Sequence, residues 1–196
     1  MVHRPGGADF APGAYVFPGG TVHDDDRTWS DHIAAAAVRE LFEETGVLLA
    51  RRDGSFALDA DCERLRSTVG RGIAFGAAMR ELGLEPAFDE LTLFARWVTP
   101  KLMRRRFDAR FYLARMPQGQ TIRPQEGEVI DWLWISPTDA LKGGRLTLVY
   151  ATQAVLESVA DAAEASLLFE RARALTDIPV VEPRIVETER GWEIVR

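Results

Sequence analysis

The sequence is poor in cysteine, lysine and long apolar runs, and each shortage excludes a class of protein. Its single cysteine, Cys62, can form neither an intramolecular disulfide nor a CxxC metal or redox site. No apolar run reaches the roughly 18 residues that a membrane helix needs, and the first residues lack the apolar core of a signal peptide. We therefore expect a cytoplasmic protein that does not bind membranes.

The charge is the next feature that narrows the function. Asp and Glu (30) outnumber Lys and Arg (24), which gives a net charge of −6 over 196 residues. Proteins that hold nucleic acid through its phosphates are usually basic, so we expect no stable binding of nucleic acid. Lysine occurs only at Lys101 and Lys142. Because the arginines are spread along the whole chain, they indicate solvated charge more than an anion site.

The order of residue patterns predicts a mixed α/β (α+β) fold in one domain over residues 1–196. A run from His32 to Thr45 without glycine or proline predicts a helix with Ser30 as N-cap and Gly46 as its stop. Most of residues 51–89 is expected to be helical. Strands are expected at 91–98, 107–114 and 129–135. Helical segments are expected at about 57–84 and 147–176.

Three carboxylates on the predicted helix form the candidate chemical site. At 100° per residue, Glu40, Glu43 and Glu44 fall within a fan of about 100° on one face. An acidic face is often merely solvated, but here a well-formed apolar side would fix the direction of the carboxylates. Clustered carboxylate oxygens suit Mg²⁺ or Mn²⁺, which also keeps waters for substrate phosphates.

The residues around this cluster resemble the Nudix box, the signature of Nudix hydrolases. The matching stretches are Phe17-Pro18-Gly19-Gly20 and Arg39-Glu40-Leu41-x-Glu43-Glu44-x-Gly46-Val47. The resemblance implies a mixed sheet flanked by helices, with a loop-helix-loop box at about 20–47. It also implies hydrolysis of a diphosphate that joins a nucleoside to a second moiety, with Mg²⁺ or Mn²⁺ as the cofactor.

The resemblance also implies roles for single residues. Glu40, Glu43 and Glu44 would be metal ligands, and Arg39 would orient a glutamate through a charge-assisted hydrogen bond. The candidate substrate-binding residues on the glycine turn are Phe17, Gly19 and Gly20.

The proton acceptor is open among Glu43, Glu44 and Glu128. Glu128 lies in a segment, 125–132, that is similar to the Nudix loop whose glutamate faces the metals. It could equally be an exposed residue that enters a strand.

The sequence departs from the usual box in its spacing. The family pattern has five residues between its first glycine and a glutamate, then seven before the arginine. Here eighteen residues separate Gly20 from Arg39, five more than the pattern. Counting back from Arg39 places Asp31 at the glutamate position and the insertion within 22–29. For Asp31, a role as a helix cap is favoured over a role at the site.

A second departure concerns the start of the fold. Nudix domains usually open with a strand pair, but only four residues precede the glycine-rich loop here. We therefore expect the first strand to be missing. Three explanations are open. The start codon lies after the true one, a partner chain supplies the first strand, or the sheet is one strand short. An open sheet edge would favour self-association, so a homodimer is possible.

Features beyond the box are similar to those of organellar coenzyme A diphosphatases with an interrupted box. These features are the insertion, the helical insert, the helical C-terminal part, and the segments 95–100 and 105–111. The similarity implies coenzyme A or acyl-coenzyme A as substrate. Arg104, Arg105 and Arg106 would then contact the substrate phosphates, unless they are solvated charge beside a strand. The alternatives are an ADP-ribose or nucleotide-sugar diphosphatase and a non-catalytic Nudix-fold regulator that binds a nucleotide.

Overall fold

The computed structural model describes residues 1–103, 105–124, 127–178, 180–188 and 191–195. The contacts divide the chain into two compact units. The first unit is Met1–Leu91 with Ala114–Ile135, and the second is Thr92–Leu113 with Ser136–Arg196. The prediction of a single domain over residues 1–196 stays a prediction.

The secondary structure is a mixture of short strands and helices. The strands are β1 (Val2–His3), β2 (Tyr15–Val16), β3 (Ala50–Arg52), β4 (Ser55–Phe56), β5 (Glu85–Pro86), β6 (Thr92–Val98), β7 (Asp108–Leu113), β8 (Asp131–Trp132), β9 (Val180–Val181), β10 (Arg184–Thr188) and β11 (Gly191–Val195). The helices are α1 (His32–Thr45), α2 (Asp59–Gly70), α3 (Phe75–Glu81), α4 (Pro137–Ala140), α5 (Tyr150–Val159) and α6 (Ala165–Arg173).

The start of the chain corrects one prediction. β1 pairs antiparallel with β2 on one side and with β8 on the other, so that Val2 lies opposite both Val16 and Trp132. The expectation of a missing first strand is therefore wrong, because the glycine- and proline-rich residues 5–13 fold the chain back sharply enough for two short strands to pair. Because β1 is paired on both sides, a missing first strand no longer supplies an argument for a homodimer. The homodimer stays a prediction.

The stretch 51–89 is also less helical than expected. It contains α2 and α3, but β3 pairs antiparallel with β4 and β5 around them. Asp53 (φ 52°) and Gly54 (φ 77°) both adopt left-handed backbone conformations between β3 and β4. An Asp-Gly pair in this conformation is a strong hairpin turn, and it stops the helix that the flanking residues favoured.

The apolar side of α1 lies on the core of the first unit. Val38 and Phe42 of α1 belong to the same buried cluster as Leu48, Leu65 and Met79. The last two come from α2 and α3, so the helical insert completes the core beneath α1. This packing anchors the helix and directs its carboxylates away from the core.

The second unit has a three-stranded sheet and three helices among its described residues. β6 lies between β7, to which it runs antiparallel, and β9, to which it runs parallel. α6 packs against β6, α4 packs against α5, and β10 and β11 form a hairpin. In neither unit is any described helix long and apolar enough to cross a membrane.

The two ends of α1 show how its position is fixed. Oδ1 of Asp31 accepts hydrogen bonds from the backbone N–H groups of Ile33 (3.1 Å) and Ala34 (3.0 Å). Gly46 ends the helix with φ 77°, and its N–H donates to Phe42 O. The capping interpretation of Asp31 is confirmed, and the prediction of Ser30 as the N-cap is wrong by one residue.

We expect Asp31→Ala to lower the free energy of unfolding by about 1 kcal/mol, because two N–H groups of the first turn lose their acceptor. Urea denaturation checks this. Asp24→Ala is the matched control, since the Asp24 side chain is fully exposed and makes one weak ion pair at 3.9 Å. Equal stability of the two variants would contradict the capping role.

Candidate functional site

A buried arginine organises the candidate site. Arg39 is 2% exposed, and its side chain has five N–H donors. Nε and Nη2 donate to the Asp26 carboxylate, with Nη2 to Oδ2 at 3.0 Å, and Nη2 also donates to Thr21 O at 2.7 Å. Nη1 donates to Glu40 Oε1 and Glu43 Oε2, each at 2.8 Å. These bonds occupy all five donors, so Arg39 acts on the protein's own carboxylates.

The charge of Arg39 is strongly stabilised. Burial opposes the charged form, but the hydrogen bond to Asp26 and the charges of Glu40 and Glu43 outweigh burial and raise the pKa of Arg39. Arg39 therefore stays a cation in the centre of the acidic groups, and it offsets part of their repulsion.

Asp26 is a site residue that the sequence reasoning missed. It is 2% exposed, and its Oδ2 also accepts the N–H of His23 at 2.8 Å. Counting forward from Gly20 instead of back from Arg39 would have found it, since five residues separate Gly20 from Asp26. The extra residues of the box therefore follow Asp26, which differs from the predicted insertion within 22–29.

Glu44 is the most buried of the three box glutamates, with 4% exposure. Its Oε2 accepts the N–H of Gly19 at 3.0 Å, and its Oε1 accepts Nη1 of Arg4 at 3.2 Å. Burial raises the pKa of Glu44 to about 7, although the Gly19 hydrogen bond and the Arg4 charge oppose the rise. A cation beside this carboxylate would be strongly attracted.

Glu43 and Glu128 extend the acidic cluster. Burial raises the pKa of Glu43, against the opposing effect of Arg39. The negative charge of Glu128 contributes to the raised pKa of both Glu43 and Glu44. Glu128 itself is exposed, and its role at the site stays a prediction beside the alternative of an exposed residue that enters a strand.

Gly20 lies directly against the Glu40 carboxylate. A Cβ atom built at Gly20 would overlap all three atoms of that carboxylate, including Oε2 at 2.5 Å. An alanine at this position would therefore push the end of the Glu40 side chain away from its hydrogen bond with Arg39.

We expect Gly20→Ala to lower activity by about 10-fold or more, because displacing one carboxylate disturbs the whole cluster. Gly6→Ala is the matched control, since a Cβ at Gly6 meets nothing within 4 Å. Steady-state kinetics of the two variants checks the prediction, and equal activities would contradict the steric role.

The fit of a divalent cation follows from the chemistry of the donors. Among the described residues, no group of three or more His, Cys, Asp or Glu is already arranged around a common point as a metal cage. Glu40 and Glu43 each turn one oxygen to Arg39, and Glu44 turns its oxygens to Gly19 and Arg4. Burial and the neighbouring carboxylates nevertheless raise the pKa of Glu43 and Glu44, and a bound cation would stabilise their charged forms. Carboxylate oxygens of this kind fit Mg²⁺ or Mn²⁺.

The remaining predicted substrate contacts divide between the two units. Phe17 is half-buried and Gly19 is exposed, next to the Glu44 carboxylate. Arg105 and Arg106 belong to the second unit, where Arg106 pairs with Glu182 at 2.7 Å and donates to Thr99 O. The solvated-charge interpretation therefore gains support for Arg106. Arg104 lies outside the described residues.

Comparison with known proteins gives the same family as the residues. The family model "NUDT19 Nudix domain" matches residues 31–150. The protein named nudix hydrolase 7 of Caenorhabditis elegans is 31% identical over 72% of this chain and 47% of its own length. The human acyl-coenzyme A diphosphatase NUDT19 is 32% identical over 53% of this chain and 32% of its own length. The chain thus spans between a third and a half of these curated relatives.

A solved structure supports the fold. The crystal structure of a NUDIX hydrolase from Alicyclobacillus acidocaldarius superposes with a TM-score of 0.72 at 27% identity, over 86% of each chain. The chain belongs to the Nudix hydrolases, in the family of the NUDT19 Nudix domain. The predicted fold and family are confirmed. Nudix hydrolases generally use divalent metal ions.

Proposed function

We propose that this chain hydrolyses the diphosphate linkage of a nucleoside diphosphate joined to a second moiety, with Mg²⁺ or Mn²⁺ as cofactor. The observation that carries the proposal is the cluster around Arg39. A buried guanidinium holds Glu40 and Glu43 at 2.8 Å each, beside a buried Glu44 that the glycine turn contacts. A purely structural acidic face would be solvated rather than organised in this way.

The residues of the cluster divide the chemical work. Glu40, Glu43 and Glu44 would hold the cation, which when bound would neutralise diphosphate oxygens and lower the pKa of a water. Arg39 fixes the direction of Glu40 and Glu43, since all its donors are used within the protein. The exposed N-terminal side of the box at Gly19 and Gly20 lets a phosphate approach the carboxylates closely.

One carboxylate must accept the proton of the attacking water. Glu43, Glu44 and Glu128 are the candidates, and the charge of Glu128 adds to burial in raising the pKa of Glu43 and Glu44. Single glutamine variants separate them when kcat is measured at saturating Mg²⁺, because the loss of a cation ligand is then offset by the added Mg²⁺, whereas the loss of the proton acceptor is not.

Coenzyme A or acyl-coenzyme A is the proposed substrate. The support is the family match together with relatives named acyl-coenzyme A diphosphatase in human and Xenopus laevis, each covered over about a third of its length. An ADP-ribose or nucleotide-sugar diphosphatase is the alternative, since these compounds share the same linkage.

A substrate panel tests the proposal. The purified chain is incubated with coenzyme A, acyl-coenzyme A, ADP-ribose and a nucleotide sugar, each with Mg²⁺ or Mn²⁺, and the products are identified by mass spectrometry. Cleavage of coenzyme A within its diphosphate linkage, between the two phosphorus atoms of that linkage, supports the proposal. Cleavage of ADP-ribose alone selects the alternative. Tight binding of a nucleotide without any turnover would favour the non-catalytic regulator.

A further inference from the structure

Three consecutive aspartates have three different environments in the box loop, which we define as residues 21–31 between Gly20 and α1. The Asp24 side chain is fully exposed. The Asp25 carboxylate accepts the backbone N–H of Gly76, the second residue of α3, at 2.5 Å. The Asp26 carboxylate holds Arg39. The same side chain therefore has a solvated, a bridging and a buried ionic role at successive positions.

A second contact ties the same loop to α3. The Arg80 guanidinium lies 4.5 Å from the ring centroid of Trp29, and Arg80 Nη2 donates to Thr28 Oγ1. The Trp29 ring also meets Phe88 edge-on at 6.4 Å and packs against the core of the first unit. The loop is thus held to the helical insert by a hydrogen bond at one end of α3 and by a cation–π contact at the other.

A 3₁₀ turn, Asp26–Thr28, makes the link between the two anchors stiff. Thr28 donates to Asp25 O through both its N–H (3.2 Å) and its Oγ1 (2.7 Å), and the Trp29 N–H donates to Asp26 O. Asp25 and Asp26 therefore keep one relative position. Any displacement of Asp25 from α3 would also move Asp26 relative to Arg39.

We propose that Asp25 is a positioning residue of the site. It ties the box loop to α3, which holds Asp26 against Arg39, and Arg39 in turn sets the carboxylates of Glu40 and Glu43 for the divalent cation. The box loop and α3 of the helical insert then together hold Asp26 in place beside Arg39. This inference rests on the cation site of the proposed function.

The expected effect follows from the place of Asp25 behind the ligands. Residues that orient metal ligands without touching the metal cost roughly 10- to 100-fold in metal affinity or activity when removed. We expect Asp25→Ala to weaken Mn²⁺ binding by about 10-fold and to lower kcat more than it changes KM. Asp25→Asn keeps an acceptor oxygen for the Gly76 N–H, so it is expected to bind Mn²⁺ nearly as the wild type does.

Calorimetric titration with Mn²⁺ alone, without substrate, is the direct test. Asp24→Ala is the matched control, because it removes an equal charge from the neighbouring position without breaking a contact to α3. A loss in Asp25→Ala that is absent from Asp24→Ala and Asp25→Asn supports the proposal. An equal loss in Asp24→Ala, or no loss in Asp25→Ala, overturns it.

Gly76→Ala approaches the same contact from the side of α3. A Cβ at Gly76 would lie 2.9 Å from both Asp25 Oδ2 and Trp29 Nε1, so these two side chains must move away from α3. Alanine is at the same time a better helix residue than glycine, so weaker Mn²⁺ binding in a protein that melts no earlier than the wild type marks a positioning effect. Unchanged Mn²⁺ affinity in this variant overturns the proposal even if Asp25→Ala fails to fold.

The two failures are distinguishable. If the wild type binds Mn²⁺ but cleaves no diphosphate in the panel, the proposed activity fails and the positioning role is still measured by the titration. If the wild type cleaves a diphosphate and Asp25→Ala matches it in Mn²⁺ affinity, only the positioning role fails.

Discussion

The Glu44→Gln enzyme is expected to hydrolyse its diphosphate substrate at least about 10²-fold more slowly in kcat than the wild type. The substitution keeps the shape of a side chain that is buried between the glycine turn and Arg4. It removes one negative charge from the cluster and with it a ligand or proton acceptor. Steady-state kinetics with saturating Mg²⁺ measures the change.

The stability of the same variant separates chemistry from folding. Burial disfavours the charged Glu44, so a neutral amide relieves that cost while losing one of two hydrogen bonds. We expect the free energy of unfolding without metal to change by no more than about 1 kcal/mol. Glu81→Gln is the control, because Glu81 is exposed and makes one long ion pair at 4.0 Å. Wild-type kcat in Glu44→Gln would remove Glu44 from the catalytic group.

Asp26→Ala is expected to cause the largest loss of stability, about 3 kcal/mol in the free energy of unfolding. It removes the carboxylate that accepts three hydrogen bonds from the buried guanidinium of Arg39. Arg39 keeps Glu40 and Glu43 as partners, which places the loss at the low end for a broken buried ion pair. Urea denaturation of the metal-free protein measures it.

Two neighbouring aspartates give the scale for this result. Asp24→Ala is expected to change stability by less than about 0.5 kcal/mol, as for an ordinary surface substitution. Asp31→Ala should lie between the two, with its loss of about 1 kcal/mol. The order Asp26, Asp31, Asp24 is the prediction, and a loss for Asp26→Ala no larger than that for Asp31→Ala would contradict the buried ion pair.

The local parts of the fold and site could be predicted from the sequence. The bounds of α1, its cap and its acidic face follow from periodicity and from residues within one helical turn. The cluster of Glu40, Glu43 and Glu44 is local in the same sense. Glu40 and Glu43 pair with Arg39, and Glu44 is buried, while the predicted roles of all three stay predictions.

The contacts of Arg4 and of Asp25 were not predicted because they join residues that are distant in sequence. Arg4 reaches Glu44 across 40 positions, and it follows a strand, β1, that is too short to show an alternating pattern. Asp24 and Asp25 are the same residue type with no distinguishing spacing, and only the contact of Asp25 with α3 separates them. The hairpin at Asp53 and Gly54 is a local feature. The prediction missed it because helix-favouring residues surround a two-residue turn signal.

The contact between Asp26 and Arg39 is made through space by a side chain on a 3₁₀ turn and a side chain on a helix. None of the connecting residues 27–31 is a partner in this ion pair, although Thr28 and Trp29 contact α3. A sequence pattern that fixes the number of residues between the acidic residue and the arginine therefore excludes this chain. A pattern that allows this number to vary includes it. Searches for related enzymes gain sensitivity by letting that spacer vary.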